Sequence, residues 1–267
     1  MITLGCIGCG NMGSAILKGL GSREDIALAG YDRSTTTLQT LKDDAALPRF
    51  TICGSEEQVA EHADYILLAV KPDQVEPVLA RIAPRLAGKT VISIAAGVSQ
   101  AALKQYSGGA CAVVRCMPNT PAMVGEGIFA LCLEDPDLGE ARMQTVQDIF
   151  GAIGQVMVLP ESKFNAFTAV AGCGPAYVFH FMEALVEAAV TVGFTRQDAT
   201  DMIIKLCKGS VKLADESDKH LSVLREMVCS PAGVTIAAVN HLDRTAVRGN
   251  IIDAVLQART RGQEMSK

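Results

Sequence analysis

The chain has 267 residues, of which 49% are hydrophobic and 20% charged, with a formal net charge of -5 and a pI near 5.4. These proportions indicate a folded protein with one large domain or two modest ones. The acidic balance argues against a nucleic-acid partner. No unbroken apolar run reaches the ~18 residues of a membrane-spanning helix, and a strand pattern begins at residue 2, so we expect neither a membrane segment nor a secretory signal.

The first 160 residues alternate between strand-like and helix-like patterns. Strands are predicted at 2–7, 26–29, 64–70, 90–94, 110–116, 127–133 and 155–159. Helices are predicted between most of them, at 14–20, 34–42, 74–83, 99–105 and 137–150. This alternation predicts an α/β domain with a doubly wound, Rossmann-type parallel sheet. The late strand at 127–133 could also pair antiparallel.

After Pro160 no clear strand pattern remains. Helices are predicted at 175–192, 196–214, 221–228, 231–242 and 245–261. We therefore expect two domains, a dinucleotide-binding domain at 1–160 and an all-α domain at 161–267. The helix at 175–192 is apolar nearly all round, which is typical of a helix buried on most sides. In so small a domain, this pattern predicts that a second subunit helps to cover it.

A glycine motif, Gly8-Cys9-Gly10-Asn11-Met12-Gly13, lies directly between the first predicted strand and the first predicted helix. In a strand–G-x-G-x-x-G–helix unit the first glycine permits a tight turn and the second lets the backbone approach a pyrophosphate. The third glycine packs the helix on the strand, and the helix N-terminus attracts the anion. The motif predicts a nucleotide cofactor, although glycine turns also occur for purely steric reasons.

Nine cysteines, an odd number, are scattered through apolar segments. This distribution favours reduced thiols and a cytoplasmic protein. Cys6 and Cys9 form a C-x-x-C pair, but one is expected inside a strand and the other inside the glycine turn. A redox role for the pair is therefore disfavoured.

The second predicted strand ends in Asp32-Arg33-Ser34, at the distance from the glycine turn where ribose is recognised. An acidic residue there accepts a hydrogen bond from the 2′-hydroxyl of NAD, whereas an arginine pairs with the 2′-phosphate of NADP. If Asp32 turns away, Arg33 and Ser34 form a small phosphate site. The sequence favours NADP and leaves NAD open.

Four further segments are informative together. They are Ala69–Pro72, Arg115–Pro121, Ala171–Tyr177 and Leu224–Val239. Their motifs resemble those of the pyrroline-5-carboxylate reductase family, and the resemblance runs essentially from end to end. The L-R-x-x-V-x-S-P-x-G-x-T pattern at 224–235 is its most specific part.

The resemblance implies reduction of the C=N bond of 1-pyrroline-5-carboxylate by NAD(P)H to give L-proline, the last step of proline biosynthesis. It also implies a helical domain through which subunits assemble as a homodimer or higher homo-oligomer. Thr235 is implied as the hydrogen-bonding partner of the imine nitrogen, and Ser230 as a ligand of the carboxylate. The implied dinucleotide contacts are Gly8, Gly10, Asn11, Met12, Gly13, Arg33, Ser34, Ala69, Lys71 and Pro72, with Ala95 and Asn119 as looser matches near the nicotinamide.

The serine-proline segment also has an interpretation from its residues alone. Ser230 is a favoured N-cap and Pro231 suits the first helical position, so we predict that a helix begins here. Gly233 in the first turn would cost about 0.5–1 kcal/mol relative to alanine, which close approach of a ligand would offset. The free N–H groups of Gly233, Val234 and Thr235 would then bind a small carboxylate. Taken alone, the pattern also fits a plain helix cap.

The chain departs from the family pattern at three places. Ala232 replaces a glycine and Cys173 replaces the serine of G-S-G-P-A-Y, which are changes between small residues. The usual His-Pro-Gly reads His220-Leu221-Ser222, so no role is given to His220 or to Asp218.

Two other functions were weighed. A β-hydroxyacid dehydrogenase would place a lysine one turn into the helix after a G-x-G, but the corresponding place, near Val178, reads Tyr-Val-Phe-His. A catalytically silent NADP-binding protein would not need Ser230, Gly233 and Thr235 together. The sequence has no motif of metal-ligand spacing, so no metal is expected.

Overall fold

The computed structural model describes residues 1–265. The chain divides into two compact units. The first contains Met1–Cys173 and the chain from Arg259, and the second contains Gly174–Ala258.

The first unit is built on an eight-stranded sheet. Its strands are β1 Ile2–Ile7, β2 Ile26–Tyr31, β3 Thr51–Ile52, β4 Tyr65–Leu68, β5 Thr90–Ser93, β6 Ala112–Met117, β7 Gly127–Cys132 and β8 Gly154–Val158. The order is β3-β2-β1-β4-β5-β6-β7-β8, and all neighbours are parallel except β6 and β7. This order confirms the doubly wound Rossmann-type fold.

Helices flank the sheet on both faces. They are α1 Asn11–Leu20, α2 Thr35–Lys42, α3 Glu56–His62, α4 Pro72–Ile82, α5 Gln100–Tyr106, α6 Glu140–Gly151 and α7 Phe164–Phe167. Two large apolar cores result. Ile16 and Phe129 are buried in one, and Ile66 and Leu79 in the other. Because alternate residues of a strand point to opposite faces, near-continuous apolar strands supply both cores.

Two elements were not predicted. β3 has only two residues, both exposed, and α3 begins Glu56-Glu57-Gln58, so neither carries strong apolar periodicity. The pairing of β3 with β2 and the Ser55 side chain, which caps α3, determine these elements instead. The predicted strand at 64–70 is shorter, because the backbone leaves the sheet after Leu68.

The second unit is all helical. Its helices are α8 Gly174–Thr191, α9 Arg196–Asp215, α10 Leu221–Met227, α11 Val234–Arg244 and α12 Val247–Met265, of which the last continues into residues of the first unit. The predicted start of the fourth of these helices at residue 231 is wrong, since α11 begins three residues later.

Helix α8 is far more exposed within one chain than its composition predicts. Only Ala189 is buried, while Phe179 is 65% and Phe181 is 50% exposed. By length and composition alone, the helical run Glu161–Thr191 could cross a membrane, with a hydropathy of 1.3 and 11% of the scored window buried. The sequence expectation counted only unbroken apolar residues, whereas this run contains interspersed polar ones. A single such helix is weak evidence for a membrane span, because subunit interfaces use the same kind of surface.

Candidate active site

The turn after β1 depends on a glycine at its first position. Gly8 has a φ of 93°, a conformation that L side chains rarely adopt. A Cβ at this residue would lie 2.8 Å from the backbone carbonyl of Ala69, just beyond β4. Only glycine lets the chain turn this closely over the neighbouring strand.

The other two glycines of the motif have different surroundings. A Cβ on Gly10 would meet nothing within 4 Å, so its backbone faces open space. A Cβ on Gly13 would collide with the carbonyl oxygen of Gly8 and lie 3.2 Å from the Cβ of Ala69. Gly10 therefore leaves room for a ligand, while Gly13 permits close packing of α1. This is the division of roles that the motif predicts.

The first turn of α1 provides unpaired backbone donors. Gly10 is the N-cap, and its carbonyl accepts the N–H of Ser14 at 2.8 Å. The N–H groups of Asn11, Met12 and Gly13 precede this bond, and no side chain caps the helix. The turn contains no acidic residue and borders a cleft of about 530 Å³. Free N–H groups and the helix dipole make this an anion-binding position.

The residues after β2 connect this turn to α2. One oxygen of Asp32 accepts the backbone N–H of Cys9 at 2.7 Å, and the other accepts that of Ser34 at 2.8 Å. Ser34 in turn caps α2 by accepting the N–H of Thr37 at 3.2 Å. Arg33 is exposed and forms no ion pair with any of residues 1–265. The contact of Asp32 with Cys9 spans 23 residues and carries no sequence signal.

The segment after β4 lies at the same edge of the sheet. The N–H of Ala69 donates to the carbonyl of Ile7 at 2.9 Å, which holds it beside the glycine turn. Lys71 is the N-cap residue of α4, and Pro72 occupies the first turn, where its missing N–H costs nothing. Both residues are exposed, so the lysine adds a positive charge to this edge.

Ala95 and Asn119 follow β5 and β6, further along the edge. Both are buried. The side-chain oxygen of Asn119 accepts the N–H of Ile128 at 2.9 Å, and its Nδ2 donates to the carbonyl of Ala171 at 3.3 Å. The Asn119 amide is therefore engaged with two backbone groups, which the sequence did not reveal.

The substrate candidates lie together in the second unit. Gly233, not Ser230, is the N-cap of α11, so the predicted cap is wrong. The reason is a turn at residues 230–233, in which Ala232 has a φ of 56° and the N–H of Gly233 donates to the carbonyl of Ser230 at 3.0 Å. That N–H is consequently not available to a ligand. The penalty expected for glycine inside a helix does not apply either.

The start of α11 still offers several donors. The N–H groups of Val234 and Thr235 lie in its first turn, before the bond from Ala237 to Gly233. Thr235 is exposed, and its hydroxyl has no partner among residues 1–265. A Cβ on Gly233 would collide with the hydroxyl oxygen of Ser230, so this hydroxyl lies directly against the glycine.

The cysteines are free thiols, as expected. Cys6 and Cys9 are both buried, and the hydrogen bond between them, together with burial, raises the pKa of the Cys6 thiol well above its usual value. Because the thiolate is the reactive form, this environment does not suit redox exchange. Within the described residues, no group of three or more His, Cys, Asp or Glu side chains could hold a metal ion.

Known proteins match both units of the chain. A family model described as pyrroline-5-carboxylate reductase dimerisation matches residues 161–265, and one described as NADP oxidoreductase, coenzyme F420-dependent, matches residues 3–97. The pyrroline-5-carboxylate reductase of Escherichia coli K12 is 36% identical over 272 residues, which cover 99% of this chain and 98% of that relative.

Solved structures match over the same length. The pyrroline carboxylate reductase of Plasmodium falciparum, crystallised with NADP bound, has a TM-score of 0.89 at 33% identity, covering 100% of this chain and 98% of that one. A pyrroline-5-carboxylate reductase from Coxiella burnetii has a TM-score of 0.90 at 31% identity, covering 100% and 99%. Because these relatives match the chain from end to end, it belongs to the pyrroline-5-carboxylate reductase family.

Proposed function

We propose that this chain reduces 1-pyrroline-5-carboxylate to L-proline with a hydride from NADPH, as the last step of proline biosynthesis. The observation that carries the proposal is the presence, in one chain, of an open glycine turn at Gly10 and a hydroxyl-lined helix start at Thr235. The first suits the pyrophosphate of a dinucleotide, and the second suits a small carboxylate. Relatives across the full length are named for this activity.

The cofactor residues that we propose are all in the first unit. The N–H groups of Asn11 and Met12 would bind the pyrophosphate, and Lys71 would add positive charge. Ala95 and Asn119 would lie at the nicotinamide end. The full proposed set is Gly8, Gly10, Asn11, Met12, Gly13, Arg33, Ser34, Ala69, Lys71, Pro72, Ala95 and Asn119.

The surroundings of Asp32 support NADPH over NADH. Both of its carboxylate oxygens already accept backbone N–H groups, so a ribose 2′-hydroxyl would compete for the remaining lone pairs. Arg33 is exposed beside them, and a 2′-phosphate would give it a charge-assisted partner. The hydroxyl of Ser34, at the start of α2, would contribute a further donor.

The substrate residues would position a compact imino acid. The Ser230 hydroxyl and the N–H groups of Val234 and Thr235 would bind its carboxylate, and Gly233 would keep the approach free of a side chain. The Thr235 hydroxyl would orient the ring nitrogen, as acceptor from a protonated imine or as donor to a neutral one. Bound NADPH supplies the hydride. A threonine hydroxyl is too weakly acidic to protonate the nitrogen, so we assign that proton to water.

Assembly and location complete the proposal. We propose a division of roles between residues 1–160, which bind the cofactor, and 161–267, which bind substrate and a second subunit in a homodimer. The exposed Phe179 and Phe181 support this, because a soluble chain seldom leaves such a surface uncovered. The nine free thiols support a cytoplasmic location. Sedimentation across a range of concentrations tests the dimer, and a monomer throughout would refute it.

Initial rates with the cyclic imine and either NADPH or NADH test the activity. We expect imine-dependent oxidation of the nicotinamide, with kcat/KM higher for NADPH. Binding of NADPH without imine-dependent turnover would instead identify a catalytically silent cofactor-binding protein. A higher kcat/KM for NADH would reverse the cofactor assignment alone.

A further inference from the structure

A short helical segment, Glu161–Gly172, follows β8 and is held to the sheet at both ends. At its start, Nη1 of Arg115 donates to Glu161 at 3.2 Å, and the guanidinium lies 4.8 Å from the ring centre of Phe164. At its end, Asn119 donates to the carbonyl of Ala171. Arg115 belongs to β6 and Asn119 follows it closely, so one strand supplies both contacts.

The second contact falls on an unusual piece of backbone. Residues Thr168–Gly172 form a π-turn, in which the N–H of Cys173 donates to the carbonyl of Thr168 at 2.8 Å. Such turns are rare and often occur at functional sites. The α-helical partner of the Ala171 carbonyl would be the nitrogen of Pro175, which has no hydrogen. The Asn119 amide supplies the donor that the proline lacks.

Asn119 is suited to hold this carbonyl in one place. It is only 7% exposed, and its oxygen is occupied by the N–H of Ile128 in β7. An amide with both ends engaged and little access to solvent has few alternative rotamers. The carbonyl of Ala171 is therefore tied, through one side chain, to the ends of β6 and β7.

This tie lies at the edge of the sheet where the cofactor candidates gather. Ala69, Ala95 and Asn119 follow three consecutive neighbours in the sheet, β4, β5 and β6, all of which run in the same direction. In doubly wound folds, ligands bind outside the carboxyl ends of the strands. The π-turn therefore lies at the β6 side of the proposed nicotinamide end.

We propose that Asn119 is a positioning residue for hydride transfer, which acts by fixing the Ala171 carbonyl and its π-turn rather than by binding the cofactor through its side chain. This inference rests on the proposed function and goes beyond it, since it gives Asn119 a different role from the cofactor contact implied by the family resemblance.

The substitution Asn119→Asp tests this role with little change of shape. One carboxylate oxygen can still accept the N–H of Ile128, while the other replaces the donor and faces the Ala171 carbonyl. We expect kcat to fall by about tenfold and amide exchange in residues 168–173 to accelerate by about tenfold. The affinity for 2′,5′-ADP, a fragment without nicotinamide, should stay within about twofold, since its binding uses other residues.

Acid should rescue this variant. Burial raises the pKa of an introduced carboxyl, and its protonated form regains an O–H donor for the Ala171 carbonyl. The ratio of variant to wild-type kcat should therefore rise toward one as pH falls through that pKa. Measuring wild-type protein at each pH corrects for the other titrating groups, and a ratio that does not depend on pH would contradict the proposed hydrogen bond.

Gln147→Glu is a matched control, because it also replaces an amide that donates to a backbone carbonyl, that of Met143 at 3.3 Å in α6. It should leave kcat and the exchange of residues 168–173 unchanged. If the carboxylate at position 119 prevents folding, Asn119→Ala removes the same donor without adding charge.

Three results would overturn the inference. They are faster exchange with a normal kcat, a lower kcat with normal exchange, and a large loss of 2′,5′-ADP affinity. The last two would indicate direct contact with the cofactor. Absence of imine-dependent turnover in the wild type would refute the proposed function instead, and the exchange experiment would still report whether Asn119 holds the π-turn.

Discussion

The carboxylate of Asp32 accepts the backbone N–H of Cys9 at 2.7 Å, across the gap between two turns of the sheet edge. Its second oxygen accepts the N–H of Ser34, the residue that caps α2. The turn proposed for the pyrophosphate and the turn proposed for the ribose are thus joined through one side chain. A change in either turn should be felt at the other.

The substitution Arg33→Ala should weaken NADPH selectively. Loss of a charge-assisted hydrogen bond costs about 1.5–3 kcal/mol, so we expect the KM for NADPH to rise by about ten- to a hundredfold. The KM for NADH should change little, because NADH lacks the 2′-phosphate. Steady-state kinetics with both cofactors measure this, with Arg142→Ala on α6 as the control. An unaltered KM for NADPH would remove Arg33 from the site.

The substitution Asp32→Asn should weaken both cofactors. An asparagine oxygen can accept one of the two N–H groups, but its NH₂ would face the other donor. Leaving a backbone donor unsatisfied costs about 1–3 kcal/mol, and the glycine turn should loosen. We expect a lower free energy of unfolding in urea and similar increases in KM for NADPH and NADH. A gain for NADPH with no loss of stability would mean that Asp32 acts on the ribose directly.

The substitution Gly233→Val should block the carboxylate. The added side chain would collide with the Ser230 hydroxyl, at the place where we position the substrate. We expect the dissociation constant of a proline analogue to rise by about tenfold or more, while that of NADPH is unchanged. Gly209→Val in α9 makes the same change where a Cβ meets nothing within 4 Å, and should have no such effect. Normal analogue binding in the first variant would contradict the site.

The substitution Thr235→Ala should lower turnover without affecting NADPH binding. The hydroxyl has no partner among residues 1–265, so its removal costs the fold little. We expect kcat to fall by about tenfold, the effect of one hydrogen bond made during reaction. Thr235→Ser keeps the hydroxyl and should retain most of the activity. Equal rates for wild type and Thr235→Ala would exclude the residue from the mechanism.

The glycine turn shows how far sequence patterns reach. Each glycine has a local reason for its identity, either a positive φ at Gly8 or a close backbone contact at Gly13, and both reasons follow from the strand–turn–helix order. The parallel sheet and the helical second half followed from periodicity in the same way. The antiparallel strand β7 was also foreseen as an option.

The start of α11 shows where such patterns fail. Ser230-Pro231 is a good helix start by residue preference, yet the helix begins after a turn in which Ala232 has a positive φ. A preference of about 1 kcal/mol for one cap is easily outweighed by surrounding contacts. The same limit explains β3, which exists because β2 pairs with it and not because of its two exposed residues.

The sequence by itself determined the class of fold, the glycine turn and the family, because these depend on periodicity and on residue types at short spacing. Only the tertiary structure decided that Asp32 bonds to Cys9 and that Asn119 bonds to Ala171, which are 23 and 52 residues apart. Contacts at such separations leave no local pattern, since the partners meet only after the sheet has brought the ends of its strands together.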